Sequence, residues 1–384
     1  MKQNNKKIRI CFLTFLAYPL FNHDVNSIFG GAEIDLYNMA NKLAENDRYE
    51  ITFVVGDYGQ NIEELHNGIR VRKFKYFNLD TFKKVRHKFK RQIVMWKELF
   101  NLDADVYITE ASSELLGWMA LISKKIKGKK IIFRLAHDLD TDFVDTRSKS
   151  FKLYYLYKTG IYNSDFIISQ TKRQQKMLKE NLNLDSTIIK NGFFINENID
   201  FSMKDYILWV ARAEEWKRPW LFVELARRMP EEKFVMVMPG KSSTKDRILE
   251  EVSQLENLEF IDFVPFYRIQ EYYDRAKLFV NTSLYEGFPN AFVQACLGKT
   301  PILSFSVNPD NFINENNLGV VCDDSLDRAV DFITELKEGK LEFYGQNAFS
   351  YVKRNHDIAK ISAIYEDIIN SLVKEEVAGE KASI

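Results

Sequence analysis

A carboxylate beside a glycine marks the stretch of this sequence with the clearest capacity for chemistry. Glu286 precedes Gly287, and Pro289 then starts an apolar run with helical spacing. Residues 277–283 form an apolar run typical of a buried strand, so Glu286 is predicted on a strand-to-helix turn. The free N–H groups and the dipole at a helix start favour an anion. This turn could hold a polyol and a phosphate together; the alternative is a surface carboxylate that only caps the helix.

Two basic residues follow another predicted strand, residues 207–210. Arg212 follows it after Ala211, and Lys217 lies five residues later at a predicted helix start. A guanidinium and an ammonium together could neutralise a diphosphate. The alternative is that Lys217 and Arg218 are solvated charges, which is the commoner case for any single basic pair.

The first half offers a histidine and a glycine pair. His137 follows the predicted strand 130–134. It could hydrogen-bond a hydroxyl, act as acid or base, or be a structural residue. Gly30 and Gly31 precede a predicted helix; paired glycines let a backbone approach a ligand closely and present N–H groups. The pair does not fit G-x-G-x-x-G, so the dinucleotide fingerprint is absent there.

Strands and helices that alternate along both halves must position these residues, and this alternation is typical of parallel sheets covered by helices. Predicted strands are residues 8–15, 51–55, 69–74, 105–108, 130–134, 166–169, 187–189, 207–210, 234–238, 258–263, 278–282, 301–304 and 319–321. Predicted helices are residues 32–46, 81–100, 112–126, 149–162, 172–182, 218–229, 244–255, 268–275, 290–298, 325–338 and 356–373.

The pattern predicts an α/β protein of two similar doubly wound units in tandem. We assign residues 1–195 to a first domain and 196–373 to a second, with helix 356–373 able to pack back on the first. The polar stretch 191–205 forms the junction, and the charged, small-residue-rich segment 374–384 is predicted to be a flexible tail.

The cysteine content and the charge distribution indicate the cellular location and the kind of partner. Three scattered cysteines support neither a disulfide framework nor a zinc cluster, so we expect a reducing, cytoplasmic location. The apolar run 10–16 is too short to span a bilayer. Net charge is zero, yet residues 1–190 carry 32 Lys and Arg against 22 Asp and Glu, and the remainder carries the reverse. We expect the basic half to face acidic lipid rather than nucleic acid, or simply water.

A basic amphipathic helix is predicted at residues 82–96. Apolar residues recur there at helical spacing between basic ones, which is typical of a membrane-surface element. Residues 123–130 and 149–162 add lysines, the latter with many tyrosines. A core-facing helix with a solvated face explains each segment equally well.

Metal-binding patterns are weak. The alternating carboxylates Asp138, Asp140 and Asp142 could hold a divalent cation, but so short a pattern is more typical of a solvated acidic loop.

Taken in order, these elements resemble the retaining glycosyltransferases of the GT-B fold, specifically glycosyltransferase family 4, also described as glycosyl transferases group 1. The resemblance covers nearly the whole chain. The matching positions are Gly30 to Glu33, His137, Asn191-Gly192, Arg212, Lys217, Gly240, Ser283 to Ala295 and Thr300 to Ile302.

The resemblance implies transfer of a sugar from a nucleotide-diphosphate donor, UDP- or GDP-sugar, to a hydroxyl acceptor, with no metal and no other cofactor. The acceptor is expected on the first domain and the donor on the second. We expect the acceptor to be a lipid-linked or saccharide intermediate of bacterial surface polysaccharide synthesis at the inner face of the membrane, because the first half of the chain is basic. Residues implied in catalysis are Glu286, His137, Arg212 and Lys217. Residues implied in donor binding are Gly30, Gly31, Arg212, Lys217, Gly240, Glu286, Gly287, Phe288, Asn290, Ala291 and Gln294.

Three positions depart from the family pattern. Gln294 replaces the second glutamate of the signature, so a charge-assisted bond to the donor ribose becomes a neutral one. Arg218 stands where a glycine usually follows the family lysine, and Pro265 replaces another glycine. Gln294 leaves a second hypothesis open, a catalytically silent member that binds a nucleotide sugar or supports a partner enzyme.

Overall fold

The computed structural model describes residues 7–25, 27–78, 88–199 and 203–382. The chain forms two compact units, Met1–Phe194 with Ile358–Ile384, and Ile195–Asp357. Each unit is a mainly parallel sheet accompanied by helices. The predicted α/β class, two doubly wound parallel-sheet units in one chain, is therefore confirmed.

The first unit is built on an eight-stranded sheet. Its strands are β1 (Ile8–Leu13), β2 (Tyr49–Asp57), β3 (Glu63–His66), β4 (Ile69–Asn78), β5 (Val106–Glu110), β6 (Lys130–Arg134), β7 (Phe166–Ser169) and β8 (Thr187–Ile188). Their order is β3-β4-β2-β1-β5-β6-β7-β8. Within the described strands β3 and β4 pair antiparallel, and the other neighbours pair parallel. Strand β1 is central, so the chain reverses its winding direction between β1 and β5, where open sheets bind ligands.

The second unit is built on a six-stranded parallel sheet. Its strands are β9 (Tyr206–Val210), β10 (Phe234–Val237), β11 (Leu258–Ile261), β12 (Ala276–Asn281), β13 (Ile302–Ser304) and β14 (Gly319–Val321). Their order, β11-β10-β9-β12-β13-β14, places β9 beside β12. The chain winds outward from β9 to β11 and then crosses to β12, so the switch point lies between the carboxyl ends of β9 and β12.

Helices connect the strands of each sheet. The first unit contains α1 (Tyr18–Phe21), α2 (Gly31–Ala44), α3 (Lys88–Asn101), α4 (Glu114–Met119) with a π-helical continuation (Ala120–Ile126), α5 (Val144–Lys149), α6 (Phe151–Tyr162) and α7 (Lys172–Leu182). The second contains α8 (Pro219–Arg228), α9 (Ser243–Val252), α10 (Phe266–Arg275), α11 (Asn290–Leu297), α12 (Phe312–Glu315), α13 (Leu326–Glu335) and α14 (Glu338–Asn355).

The C-terminal helix, α15 (Ile358–Ala382), belongs to the first unit. Arg134 donates to the Tyr365 hydroxyl at 3.5 Å, and Arg48 pairs with Glu366 at 2.6 Å. The helix continues through most of the predicted tail, because the residues after 373 are mainly helix-forming Glu, Lys and Ala.

Strand β3, helix α14 and the short helices α1, α5 and α12 were not predicted. Helix α14 contains Gly339 and Gly345, which disfavour an isolated helix, and its packing against α11 overrides that propensity. Of the basic helix predicted at 82–96, residues 82–87 lie outside the described residues, and α3 begins at Lys88. Every helix in the described ranges is too short or too polar to cross a membrane.

Candidate functional site

The switch point of the second unit brings Lys217 and Glu286 together. Lys217 ends a short 3-10 turn after β9, and Glu286 lies in the loop between β12 and α11. The Lys217 ammonium forms an ion pair with Oε1 of Glu286, and the two side chains are 13% and 12% exposed. The sequence placed both residues at carboxyl ends of parallel strands, and the structure shows them in direct contact.

An aromatic stack lies against this ion pair. The Lys217 ammonium nitrogen is 3.9 Å from the centre of the Trp216 ring, within cation–π range. Trp216 stacks on Tyr285 at 5.0 Å between ring centres and 7° between planes. The Leu284 N–H donates to the Trp216 carbonyl at 3.0 Å. Neither aromatic was predicted as a site residue. Each directly precedes one member of the ion pair in the sequence, and this repeated arrangement could have indicated them.

Main-chain contacts fix the turn that carries Lys217. The Thr282 hydroxyl donates to the Lys217 carbonyl at 2.5 Å and accepts from the Trp209 indole at 2.8 Å. Because Trp209 is buried in β9 and Thr282 follows β12, this chain of hydrogen bonds connects the two strands on either side of the switch point.

Arg218 adopts the left-handed backbone conformation at the position where the family pattern has a glycine. Its backbone is left-handed, with φ of 49°, a conformation that glycine adopts without strain. Its guanidinium donates to the Thr282 carbonyl at 2.6 Å, to the Ser306 hydroxyl at 2.9 Å and to Asp324 at 2.6 Å. These bonds hold the pKa of the Asp324 carboxyl below its ordinary value. Arg218 therefore joins neighbouring loops, and the alternative of a solvated charge is wrong for this residue.

Arg212 is exposed directly after β9. Burial lowers the pKa of the Lys217 ammonium, Glu286 opposes that shift, and the charge of Arg212 lowers the pKa further. The charges of Arg212 and Lys217 therefore repel each other at the switch point of the second unit. An anionic ligand bound between them would relieve this repulsion.

The loop and helix that follow Glu286 hold the remaining signature residues. Gly287 is buried, and Phe288 packs on Phe312 and His356 at 5.1 and 5.2 Å between ring centres. Predicted as a ligand contact, Phe288 is seen to anchor the loop. Helix α11 starts at Asn290, and Pro289 before it supplies no side-chain cap. Asn290 and Gln294 are buried one helical turn apart, and Ala291 is partly exposed.

Gly240 lies in the turn after β10, with φ of 110°, which a residue with a Cβ rarely adopts. Lys245 lies beneath this turn and is buried. Its ammonium donates to the carbonyls of Met238 and Gly240 at 3.0 Å each and pairs with Asp262. The sequence analysis missed Lys245, which nothing in its local sequence distinguishes from a surface lysine.

In the first unit, the glycine pair starts α2. Gly30 is extended, with φ of −116°, a conformation that any residue can adopt. Glycine is therefore favoured here because it leaves room for a neighbouring group. The Glu33 carboxylate accepts from the Gly30 N–H at 2.7 Å and from the Thr14 hydroxyl at 2.8 Å. A Cβ on Gly30 would lie 3.1 Å from that carboxylate. Glu33 thus caps the helix and ties it to the end of β1.

His137 begins a 3-10 turn after β6. Its Nδ1 accepts from the Leu139 N–H at 3.1 Å, so the neutral ring carries its proton on Nε2. The buried Asp140 carboxylate accepts from the N–H groups of Ala136 at 2.8 Å, His137 at 2.9 Å and Ser112 at 3.0 Å. Asp140 is therefore a turn-forming residue, and within the described chain no group of three or more His, Cys, Asp or Glu could hold a metal ion.

Two doubly wound parallel-sheet units, with charged side chains at the switch point of one of them, define the GT-B class of protein. Family models match the chain as "Glycosyltransferase Family 4" over residues 29–196 and as "Glycosyl transferases group 1" over residues 193–350. The chain belongs to this family of GT-B glycosyltransferases. No curated protein sequence matches it significantly.

Solved structures share the fold over nearly the full chain. Sucrose-phosphate synthase from Thermosynechococcus elongatus is 14% identical with a TM-score of 0.77, covering 96% of this chain and 100% of its own. The Anabaena protein HepE, in complex with UDP and glucose, is 16% identical with a TM-score of 0.71, covering 95% and 100%. An E. coli trehalose-6-phosphate structure bound with UDP-2-fluoro glucose is 10% identical with a TM-score of 0.64, covering 94% and 98%.

Proposed function

We propose that the chain is a retaining, metal-independent glycosyltransferase that moves a sugar from a UDP- or GDP-sugar to a hydroxyl acceptor. The observation that carries this proposal is the Lys217–Glu286 ion pair at the carboxyl ends of β9 and β12. Lys217 is a cation that suits a diphosphate, and Glu286 is a carboxylate that suits sugar hydroxyls. The two groups are in contact, as are the diphosphate and the sugar of one nucleotide sugar.

Lys217 and Arg212 neutralise the diphosphate while charge develops on the leaving group, the task that a metal ion performs elsewhere. Preorganised charge stabilisation of this kind is usually the largest catalytic contribution, and one donor is typically worth about 100- to 1000-fold in rate. The first N–H groups of α11, at Asn290 and Ala291, add positive potential because they lie at a helix start.

Glu286 exchanges its ammonium partner for the hydroxyls of the donor sugar. The carboxylate therefore keeps hydrogen-bond donors when Lys217 turns to the phosphate. Gln294, one helical turn after Asn290, bonds the ribose as a neutral amide, and Gly240 lets the backbone approach the donor. In the first unit, His137 carries on Nε2 a donor suited to a sugar hydroxyl, and Gly30 and Gly31 let the backbone approach the phosphate and the acceptor closely. Attack by the acceptor on the leaving-group face then requires no protein nucleophile.

Two similar structures support a UDP-sugar as the donor. HepE was solved with UDP and glucose, and the E. coli trehalose-6-phosphate structure holds UDP-2-fluoro glucose. The acceptor is proposed to be a lipid-linked or saccharide intermediate of bacterial surface polysaccharide synthesis. The charge excess in residues 1–190 supports an acceptor presented at the cytoplasmic face of an anionic membrane, with residues 82–96 as one contact.

A donor panel tests the proposal. UDP-, GDP- and ADP-sugars are added separately to the purified chain, and melting temperature and sugar release are followed with and without EDTA. We expect one UDP- or GDP-sugar to raise the melting temperature by mass action, and release of its sugar to persist in EDTA. Stabilisation without any turnover, on water or on a panel of glycolipid acceptors, would instead identify a silent nucleotide-sugar-binding member. Loss of turnover in EDTA would refute metal independence.

A further inference from the structure

We propose that Asp262 selects a guanine nucleotide as the donor, by accepting hydrogen bonds from the base of a GDP-sugar. This inference rests on the proposed function, because it names the base of the nucleotide that Lys217 and Arg212 would bind. The two similar structures that hold UDP or a UDP-sugar are 16% and 10% identical to this chain. At that identity they share the fold alone, so the choice of base depends on the residues of this chain.

Asp262 lies on the same edge of the second sheet as the Lys217–Glu286 ion pair. It directly follows β11, and the sheet order β11-β10-β9-β12 puts β11 two strands from β9. Neighbouring strands are about 5 Å apart, so the carboxyl ends of β9 and β11 are separated by about 10 Å. A nucleoside diphosphate spans a comparable length between its phosphates and its base. A diphosphate at Lys217 can therefore place its base near Asp262.

Hydrogen bonds join the loops between these two positions into one surface. The Ala213 N–H, in the loop after β9, donates to the Pro239 carbonyl at 3.0 Å. The Ser242 hydroxyl donates to the Ala213 carbonyl at 2.6 Å. Gly240 lies between Pro239 and Ser242 in the turn after β10, where a glycine lets a ligand approach the backbone closely. The carboxyl edge from β9 to β11 is therefore continuous, and a nucleoside would cross it at Gly240.

A buried lysine fixes the Asp262 carboxylate. The Lys245 side chain is 9% exposed, and its ammonium pairs with Oδ1 of Asp262. The same ammonium donates to the carbonyls of Met238 and Gly240, so all three of its protons have acceptors. Its nitrogen also lies 5.4 Å from the centre of the Phe260 ring. An isolated surface carboxylate samples several rotamers, whereas this one is held in place while its side chain remains 77% exposed.

The chemistry of this carboxylate favours guanine over the other bases. A carboxylate is only an acceptor, and its two oxygens suit two parallel N–H donors. Guanine presents such a pair, N1–H and the N2 amino group. Uracil presents one N–H between two carbonyl oxygens, which a carboxylate repels, and adenine presents an acceptor beside its amino group. Phe263, the next residue, is partly exposed and adds a ring on which a purine can stack.

Calorimetric titrations of the full chain test the inference with the diphosphates of guanosine, inosine, xanthosine and uridine (GDP, IDP, XDP and UDP). IDP lacks the N2 amino group of GDP, and XDP carries a carbonyl oxygen in its place. We expect GDP to bind about tenfold more tightly than IDP, because IDP loses one charge-assisted hydrogen bond. UDP should bind more weakly still, because its carbonyl oxygens face the carboxylate.

The variant D262N should reverse this preference. Asparagine offers one acceptor and one donor, which match the N1–H and the C2 carbonyl of xanthine. We expect XDP to bind this variant about tenfold more tightly than GDP, a reversal that a merely structural role does not produce. The matched control is D246N, because Asp246 is an exposed carboxylate next to Lys245 in the sequence. It should leave the order of the four nucleotides unchanged.

Two results would overturn the inference alone. One is UDP binding to the wild type as tightly as GDP, and the other is an equal loss of affinity for all four nucleotides in D262N. Binding of none of the four to the wild type would refute the proposed donor function itself, and the inference with it. Because no sugar is transferred in these titrations, the outcome does not depend on catalysis.

Discussion

The two units hold their candidate site residues by different means. In the second unit the Lys217 ammonium itself is held by other side chains, Glu286 and the Trp216 ring, although main-chain hydrogen bonds fix its turn. In the first unit they are made with the main chain, since Glu33 caps the Gly30 turn and Asp140 collects three N–H groups around His137.

This difference indicates different tasks. An ion pair between two ligand-binding groups must open before a ligand can bind, so the second-unit site exchanges partners when it works. Turns closed by carboxylates need no such exchange, so the first-unit site is preformed. We therefore expect substitutions of the second-unit ion pair to change chemistry, and substitutions of the first-unit carboxylates that close turns to act through stability.

Removal of the ammonium should have the largest effect. We expect Lys217→Met to lower the rate of sugar transfer by about 100- to 1000-fold, because the leaving diphosphate loses a preorganised cation. Lys277→Met is the matched control, since Lys277 pairs with Glu232 in the same unit away from the switch point. Steady-state kinetics of both variants test this prediction. Equal rates in the two variants would show that Lys217 has no role in catalysis.

The aromatic stack should matter through the position of Lys217. Trp216→Leu is expected to lower kcat by about 30-fold with little change in KM, within the range that small misplacements of a catalytic group produce. Trp216→Phe keeps a ring face and should recover most of the rate. Trp220, whose ring lies 5.1 Å from Arg247, provides the control Trp220→Leu. A Phe variant as slow as the Leu variant would indicate a direct ligand contact by the indole.

Donor affinity should depend on pH through the same lysine. Burial lowers the pKa of Lys217 below its ordinary value of 10.5. Between that lowered pKa and 10.5 the unfolded chain binds a proton that the folded chain has released, so the cost of burying this ammonium is lost and the free energy of unfolding increases as pH rises. Donor binding has the opposite sign, because the phosphate needs the ammonium. We expect affinity to fall roughly tenfold as pH rises through the lowered pKa. Lys217→Arg should flatten the calorimetric profile, and an unchanged slope in that variant would point to another group.

The smallest effect on catalysis is expected from the first unit. Asp140→Ala leaves three N–H groups without their carboxylate and should lower the free energy of unfolding by about 1–3 kcal/mol. The rate should fall only a few-fold at a temperature where the variant is folded. Urea denaturation and kinetics on the same sample separate the two effects. A 100-fold loss of rate with unchanged stability would show that the first-unit turn also takes part in chemistry.

The sequence located the strands and turns that carry the candidate residues better than the contacts that hold those residues in place. Of the fourteen strands in the described residues, thirteen were located, because buried parallel strands are continuous apolar runs. Strand β3 is a short edge strand without such a run, and α14 forms through its contact with α11. Lys217 and Glu286 could be assigned to one sheet edge from topology alone. Their pairing, the inward burial of Phe288 and the support from Lys245 depend on side-chain packing, which spacing along the chain does not encode.

The most direct test of the central claim compares nucleotide binding with sugar transfer in Glu286→Gln. The substitution frees Lys217 from its carboxylate partner and removes the acceptor for sugar hydroxyls. Our account predicts that transfer falls by about 100-fold, while UDP or GDP, which lacks the sugar, binds as tightly as to the wild type or tighter in a calorimetric titration. Weaker binding of the free nucleotide together with slower transfer, or transfer at the wild-type rate, would contradict the account.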